Sequence, residues 1–153
     1  SSVPGYEHAE IHSVAAQIGV RESRRILGLE YLTVEAFDRQ ARFKDAIARV
    51  NYPVDIHNPS GTGTEMRMLK PDEYYEIPYG CIVPPSVKNL LIGCRAISVD
   101  HALHSSMRVM PPVCSIGQAA GMAAAMAVEK QCRPEELNGA ELRAELKEFG
   151  ANL

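Results

Sequence analysis

The sequence predicts a mixed α/β or α+β domain, and three observations carry that prediction. Val50, Tyr52, Val54 and Ile56 alternate with polar residues or proline at the period of a strand. Leu90-Leu91-Ile92-Gly93-Cys94 is a short continuous apolar run, the pattern of a strand buried on both faces. After it, Pro111 and Pro112 open a long stretch rich in alanine and glycine that reads as a helix, because proline suits a first turn whose N–H groups lack partners anyway. The chain has 153 residues, of which 46% are hydrophobic and 23% charged, enough apolar material for one core and too ordered a composition for a disordered, collagen-like or coiled-coil chain. Its net charge of -3 lacks the lysine and arginine excess that a nucleic-acid binder or an electrostatic membrane anchor needs.

Each element follows in order. Ile11, Ala15 and Ile18 recur at helical spacing between Tyr6 and Gly19, where Gly19 can stop a helix. From Val20 to Gly28, arginines interleave with other residues at a period near two, which predicts a strand with an arginine-bearing face. Thr33 is the expected N-cap of a helix through Val34, Phe37 and Ala41, and one or two more helical turns are expected from Phe43 to Ala48. The strand Val50 to Ile56 leads into a loop, Asn58-Pro59-Ser60-Gly61-Thr62-Gly63-Thr64, which lacks the spacing of a phosphate loop. Tyr74 to Tyr79 reads as a short extended segment that Pro78 confines to an edge or a strand end. A turn at Pro84-Pro85-Ser86 precedes the Leu90–Cys94 strand. The final helix has Asn138 as N-cap with Glu141 three residues on, an apolar stripe of Leu142, Leu146 and Phe149, and a stop at Gly150.

Val109 to Val128 carries no charge and could span a bilayer by length. Its prolines, Ser115, Gln118 and many alanines and glycines supply little transfer free energy, so no membrane span is expected. Cys81, Cys94, Cys114 and Cys132 contain no C-x-x-C pair and are too sparse for a disulfide scaffold, so they read as reduced thiols, which favours the cytoplasm.

Several residue sets could carry chemistry. His8 and His12 share a helix face in the expected first helix, but Glu10 does not follow the first histidine as metalloprotease geometry requires. His101 and His104 with Cys94 form a weak metal-ligand set. Arg108 stands just before the helix opened by Pro111 and Pro112, where a cation and a helix dipole together favour an anionic or electron-rich ligand. Arg21, Arg24 and Arg25 either form a solvated face or reach a carboxylate or phosphate in bidentate fashion.

The blocks Ile77-Pro78-Tyr79-Gly80, Asn89 to Ser98, Arg108-Val109-Met110-Pro111 and Gly117-Gln118-Ala119-Ala120-Gly121 together resemble the carboxy-terminal part of bacterial FAD-dependent oxidoreductases, some of which carry a xanthan-lyase label. Arg21 to Ile26 and Val54 to His57 fit the same resemblance. It implies the carboxy-terminal segment of a split FAD-binding, Rossmann-like domain plus part of a substrate domain. Residues 1–80 would form the substrate or cap portion with connecting strands, and residues 81–153 the return segment that completes the FAD site.

On this resemblance Gly93, Arg95, Arg108, Val109, Met110, Pro112 and Gln118 contact FAD, while Gly117, Ala120 and Gly121 permit tight helix packing. His101, His104 and Arg108 are the catalytic candidates, with the two histidines as general acid or base. Arg21 and Arg25 would hold an anionic group of a small-molecule substrate. The chain departs from its relatives at Cys94, where most have glycine, and it lacks the G-x-G-x-x-G fingerprint that holds the pyrophosphate. It therefore reads as a fragment whose partner is the missing amino-terminal half of the FAD domain, and which alone holds FAD weakly or not at all. The rival expectations are a non-catalytic cap or interaction module and, more weakly, a metal-binding domain. Nothing supports lyase chemistry on a sugar polymer.

Overall fold

The computed structural model describes residues 2–57 and 64–153. Most of the loop expected at 58–64 lies outside the described residues. The elements in chain order are helix α1 (Glu35–Asp38), strands β1 (Ala46–Val50), β2 (Val54–His57), β3 (Thr64–Arg67) and β4 (Tyr75–Pro78), a 3-10 turn (Tyr79–Ile82), helices α2 (His101–Met107) and α3 (Met110–Glu129), a 3-10 turn (Pro134–Glu136) and helix α4 (Gly139–Glu148).

The centre of the molecule is the antiparallel pair β1 and β4, in the register Ala48 opposite Ile77 and Val50 opposite Tyr75. A register shift between Ala46 and Ala48 bends β1. All four residues of β4 are buried, and α3 and α4 pack against β1. Ala46, Ile47 and Ala48 were expected to be helical. They form a strand because β4 supplies their hydrogen bonds, and the two alanines let α3 approach closely; tertiary pairing outweighs local propensity here. The alternating run from Val50 to Ile56 is split at Asn51 to Pro53 into the end of β1 and the start of β2. β2 then pairs antiparallel with β3 and rests on α2, where the Ser105 hydroxyl accepts from the Asp55 N–H at 3.0 Å.

α3 uses its prolines as expected, in its first turn, and buries Pro112, Ile116, Ala119, Ala123, Met126 and Ala127 on one face. Among the described residues it is the one helix long and apolar enough to cross a membrane, and its buried stripe packs on β1 and α4. In α4 the Asn138 side chain accepts from the Ala140 N–H at 3.0 Å, and Leu142 and Leu146 are buried. Phe149, assigned to the same stripe, is 72% exposed, and Glu141 reaches Lys130 instead of closing a capping box. Gly150, at φ +97°, ends the helix in a conformation that glycine adopts without strain. One hydrophobic cluster joins residues on both sides of position 80, from Leu32 to Leu153.

Three expected elements are absent. Residues 2–20 form no helix: every one is exposed, with Ile11 at 85% and Ile18 at 91%, so no apolar stripe docks to stabilise a short helix that is marginal in water. Val20 to Gly28 forms no strand, since Arg25 turns aside to Glu22 and Ile26 makes a lone backbone hydrogen bond to Ala96. Leu90 to Cys94 also lacks a ladder. Its Ile92 N–H reaches the Ile82 carbonyl at 2.9 Å, but Leu90 and Gly93 to Arg95 are exposed, so the run is covered on one side rather than two. The helix after Thr33 is a single turn, because Gln40 takes φ 51° before Ala41, and the Thr33 hydroxyl bonds the Glu35 carboxylate instead of capping.

Candidate functional site

The site is assembled around α2. Asp100 caps this helix: one carboxylate oxygen accepts from the Leu103 N–H at 2.6 Å, and the other accepts from the Val34 N–H at 2.9 Å, which ties α2 to the start of α1. A parallel bridge between Leu32 and Val99 runs beside it. This anchoring orients His101 and His104, three residues apart and so neighbours on one helix face.

Both histidines face Glu22. His101 Nδ1 lies 3.0 Å from Glu22 Oε1, and His104 Nδ1 lies 3.3 Å from Oε2. Arg108 Nη1 stands 3.7 Å from Oε2, and the Arg25 guanidinium bonds Oε1. Burial alone would raise the Glu22 pKa; the hydrogen bond from His101 and the charges of His104, His101 and Arg25 outweigh it and hold the carboxyl below its usual range.

His104 is 1% exposed, and its Nε2 donates to the Arg95 carbonyl at 3.1 Å, which fixes the proton of the neutral ring on Nε2. Its buried Nδ1 has no aligned hydrogen-bond partner, although the Glu22 carboxylate is within ion-pair distance. Burial lowers the His104 pKa, with Arg25 and Arg108 adding to the effect, while Glu22 and the Arg95 carbonyl oppose it; the net shift is downward. The result is a neutral imidazole with a free lone pair beside an anion that stabilises it once protonated, which is the equipment of a general base or acid near neutral pH.

Glu22 was not among the residues singled out from the sequence. The available signal was its position as the lone acid in Arg21-Glu22-Ser23-Arg24-Arg25. Arg108, the C-cap of α2, stands just before the N-terminus of α3 as expected, with its Nη1 3.7 Å from Glu22 Oε2. That N-terminus is a weaker anion site than expected, because Pro111 and Pro112 remove two first-turn N–H donors and leave the one on Met110.

The remaining residues divide between two flanks of α3. On one flank the Gly93–Arg95 loop lies against the helix: a Cβ on Gly93 would stand 3.1 Å from Ala120 Cβ and 3.7 Å from Gly117. Arg95 donates to the Val20 carbonyl at 2.8 Å, and its loop borders a cleft with Val20 to Arg24, His104 and Val113. On the other flank Gln118 lines a separate hollow with Pro111, Ser115 and Gly150 to Leu153. Val109 is the extended N-cap of α3, Met110 is 81% exposed and Pro112 is buried, so neither Gln118 nor Met110 joins the histidine cluster. His8 and His12 are exposed, and among the described residues no three His, Cys, Asp or Glu side chains are placed to hold a metal; His101 and His104 are directed to Glu22 and not to Cys94. All four cysteines are free thiols.

Among the described residues none accepts from the backbone N–H groups of Gly93, Cys94 or Arg95, which gives three adjacent donors on an exposed loop. Pro111, Cys114, Gln118, Gly121 and Ala125 form an uncharged exposed stripe along α3, and a Cβ on Gly121 would meet nothing within 4 Å.

No curated protein and no solved structure matches the chain. A family model described as FAD dependent oxidoreductase matches residues 1–146. Spanning all of the Glu22 cluster, the α3 helix and the loop that lies on it, that match places the chain in the FAD dependent oxidoreductase family, with FAD as the family's cofactor.

Proposed function

We propose that this chain contributes the carboxy-terminal part of a flavin site in an oxidoreductase that acts on a small organic molecule. The observation that carries the reading is the convergence of His101, His104 and Arg108 on the Glu22 carboxylate at the approach to α3. FAD, when bound, supplies transfer of a hydride or electron pair.

The chain's own groups bind, orient and move protons. The exposed N–H groups of Gly93 to Arg95 would help hold the cofactor, and Gly93 keeps the loop close to Gly117 and Ala120. The uncharged outer face of α3 excludes water when covered. Met110 supplies the one first-turn N–H on the side of the helix dipole that favours negative charge. His104 takes a proton at Nδ1 and Glu22 stabilises the resulting imidazolium, while His101, more exposed on the other oxygen of the same carboxylate, exchanges its own proton with substrate or solvent. Arg25 helps hold Glu22 ionised, and Arg108, with Nη1 3.7 Å from Oε2, helps hold it in place.

Residues 1–80 serve the substrate side and residues 81–153 the cofactor side of one shared core, and the pyrophosphate is held by a glycine-rich amino-terminal half of the FAD domain. Expression of the chain joined to that half, read from the parent gene, tests the proposal. Protein that purifies with a stoichiometric flavin absorbance band supports it. Colourless joined protein overturns it in favour of a non-catalytic cap or interaction module.

A further inference from the structure

We propose that the cleft between residues 20–24 and the Cys94–Ala96 loop is a carboxylate-binding subsite, so that the small molecule handled by this chain carries a carboxylate. The proposal rests on the flavin reading above for the chemistry that follows binding, but not for the binding itself. The cleft encloses about 360 Å³, room for a small organic acid. Three arginines, Arg21, Arg24 and Arg95, line it, and Arg21 and Arg24 are exposed.

Arg95 is steadied by its bond to the Val20 carbonyl, whereas Arg21 and Arg24 make no hydrogen bond or ion pair with any described residue. The single acid on the lining, Glu22, is already paired with Arg25 and Arg108, so the cleft retains a net positive charge that its own protein does not answer. His104 also lines the cleft, its buried Nδ1 lying 3.3 Å from Glu22 Oε2 without an aligned hydrogen bond. Val113 adds an apolar wall from the first turn of α3. A planar carboxylate matches a guanidinium fork in bidentate fashion, and two unpaired forks beside a proton-accepting imidazole are what a carboxylic acid with a reacting carbon next to it requires.

The test uses the 153-residue chain without flavin and reads the His104 ring resonances by NMR as malonate or inorganic pyrophosphate is added. Glu22, Arg25, Arg108 and the Arg95 carbonyl face this ring, so an added anion adds to the Glu22 effect and moves the His104 titration to higher pH. Malonate is expected to bind saturably with that upward shift, and the double variant Arg21→Gln/Arg24→Gln to weaken it by about tenfold or more, while Arg39→Gln, on the exposed end of α1, leaves it unchanged.

Absence of saturable binding overturns the proposal, as does malonate affinity that survives the double variant. Pyrophosphate bound tenfold more tightly than malonate also overturns it and assigns the cleft to a diphosphate. Circular dichroism of each variant separates loss of the subsite from loss of the fold. The colour of the joined protein tests the flavin reading independently, so either conclusion can fail without the other.

Discussion

Two buried or half-buried carboxylates show how much a single residue determines here. Glu76, 1% exposed in the middle of β4, accepts from the Phe43 N–H at 2.8 Å and from Arg143 at 3.0 Å, with Arg49 Nε at 3.6 Å, and so joins the sheet to α4. Glu76→Ala leaves two arginines and a backbone donor without their acceptor, and the expected loss is about 3 kcal/mol of unfolding free energy in urea titration. Glu22 controls the pH response. Its folded pKa is below the ordinary value, so its stabilising contribution is complete above that value and disappears as pH falls through it to the folded pKa. His104 is likewise lowered, so folding favours its neutral ring and acid costs stability from about pH 6.5 downward. The stability advantage of the native chain over Glu22→Gln should therefore persist from pH 7 to about 4.5, where Glu22 also stabilises the protonated His104, and shrink as the pH is lowered further, which the urea midpoint measures at each pH. The sequence disclosed His101, His104 and Arg108 as a group, because they lie within one short segment. It did not disclose Glu22, which comes to them from 79 residues away in the chain.

At the scale of elements, the two long carboxy-terminal helices were the most legible, while the short helices and most strands were not. α3 and α4 declare themselves through prolines in a first turn, an asparagine cap and a stop at Gly150, all local signals that need no partner. β1 could not be read from Ala46-Ile47-Ala48, because two alanines favour helix until β4 arrives to pair with them. The Leu90–Cys94 run was misread for the converse reason: its apolar content suits a covered strand, but one face is exposed. Glycines test which close approaches matter. A Cβ on Gly28 would stand 2.5 Å from the Gly80 carbonyl oxygen and 3.0 Å from Ser98 Cβ, so Gly28→Ala must displace backbone and should cost about 1–3 kcal/mol. Gly121 has open space around it within a helix, and Gly121→Ala should raise stability by about 0.5–1 kcal/mol. Thermal or urea unfolding of the two variants should thus move in opposite directions.

For the whole molecule, the uneven distribution of apolar surface is the dominant property. The core runs through β1, β4, α3 and α4, while residues 2–20 and the outer stripe of α3 leave apolar groups in solvent. Ala125→Lys on that stripe should leave the chain's own stability within about 0.5 kcal/mol, yet abolish the flavin band when the chain is joined to the glycine-rich half. Equal flavin content in the variant and the parent would show that the stripe does not face the cofactor domain. The Glu22 cluster also constrains the order in which the protein acquires function during synthesis. At about 5–20 residues per second, the 79 residues from Ser23 to His101 take roughly 4–16 s to add, and throughout that interval the carboxylate waits without its histidines. A ribosome paused before α2 would therefore carry a chain whose reactive cluster is still unassembled, with Glu22 made and His101, His104 and Arg108 not yet added.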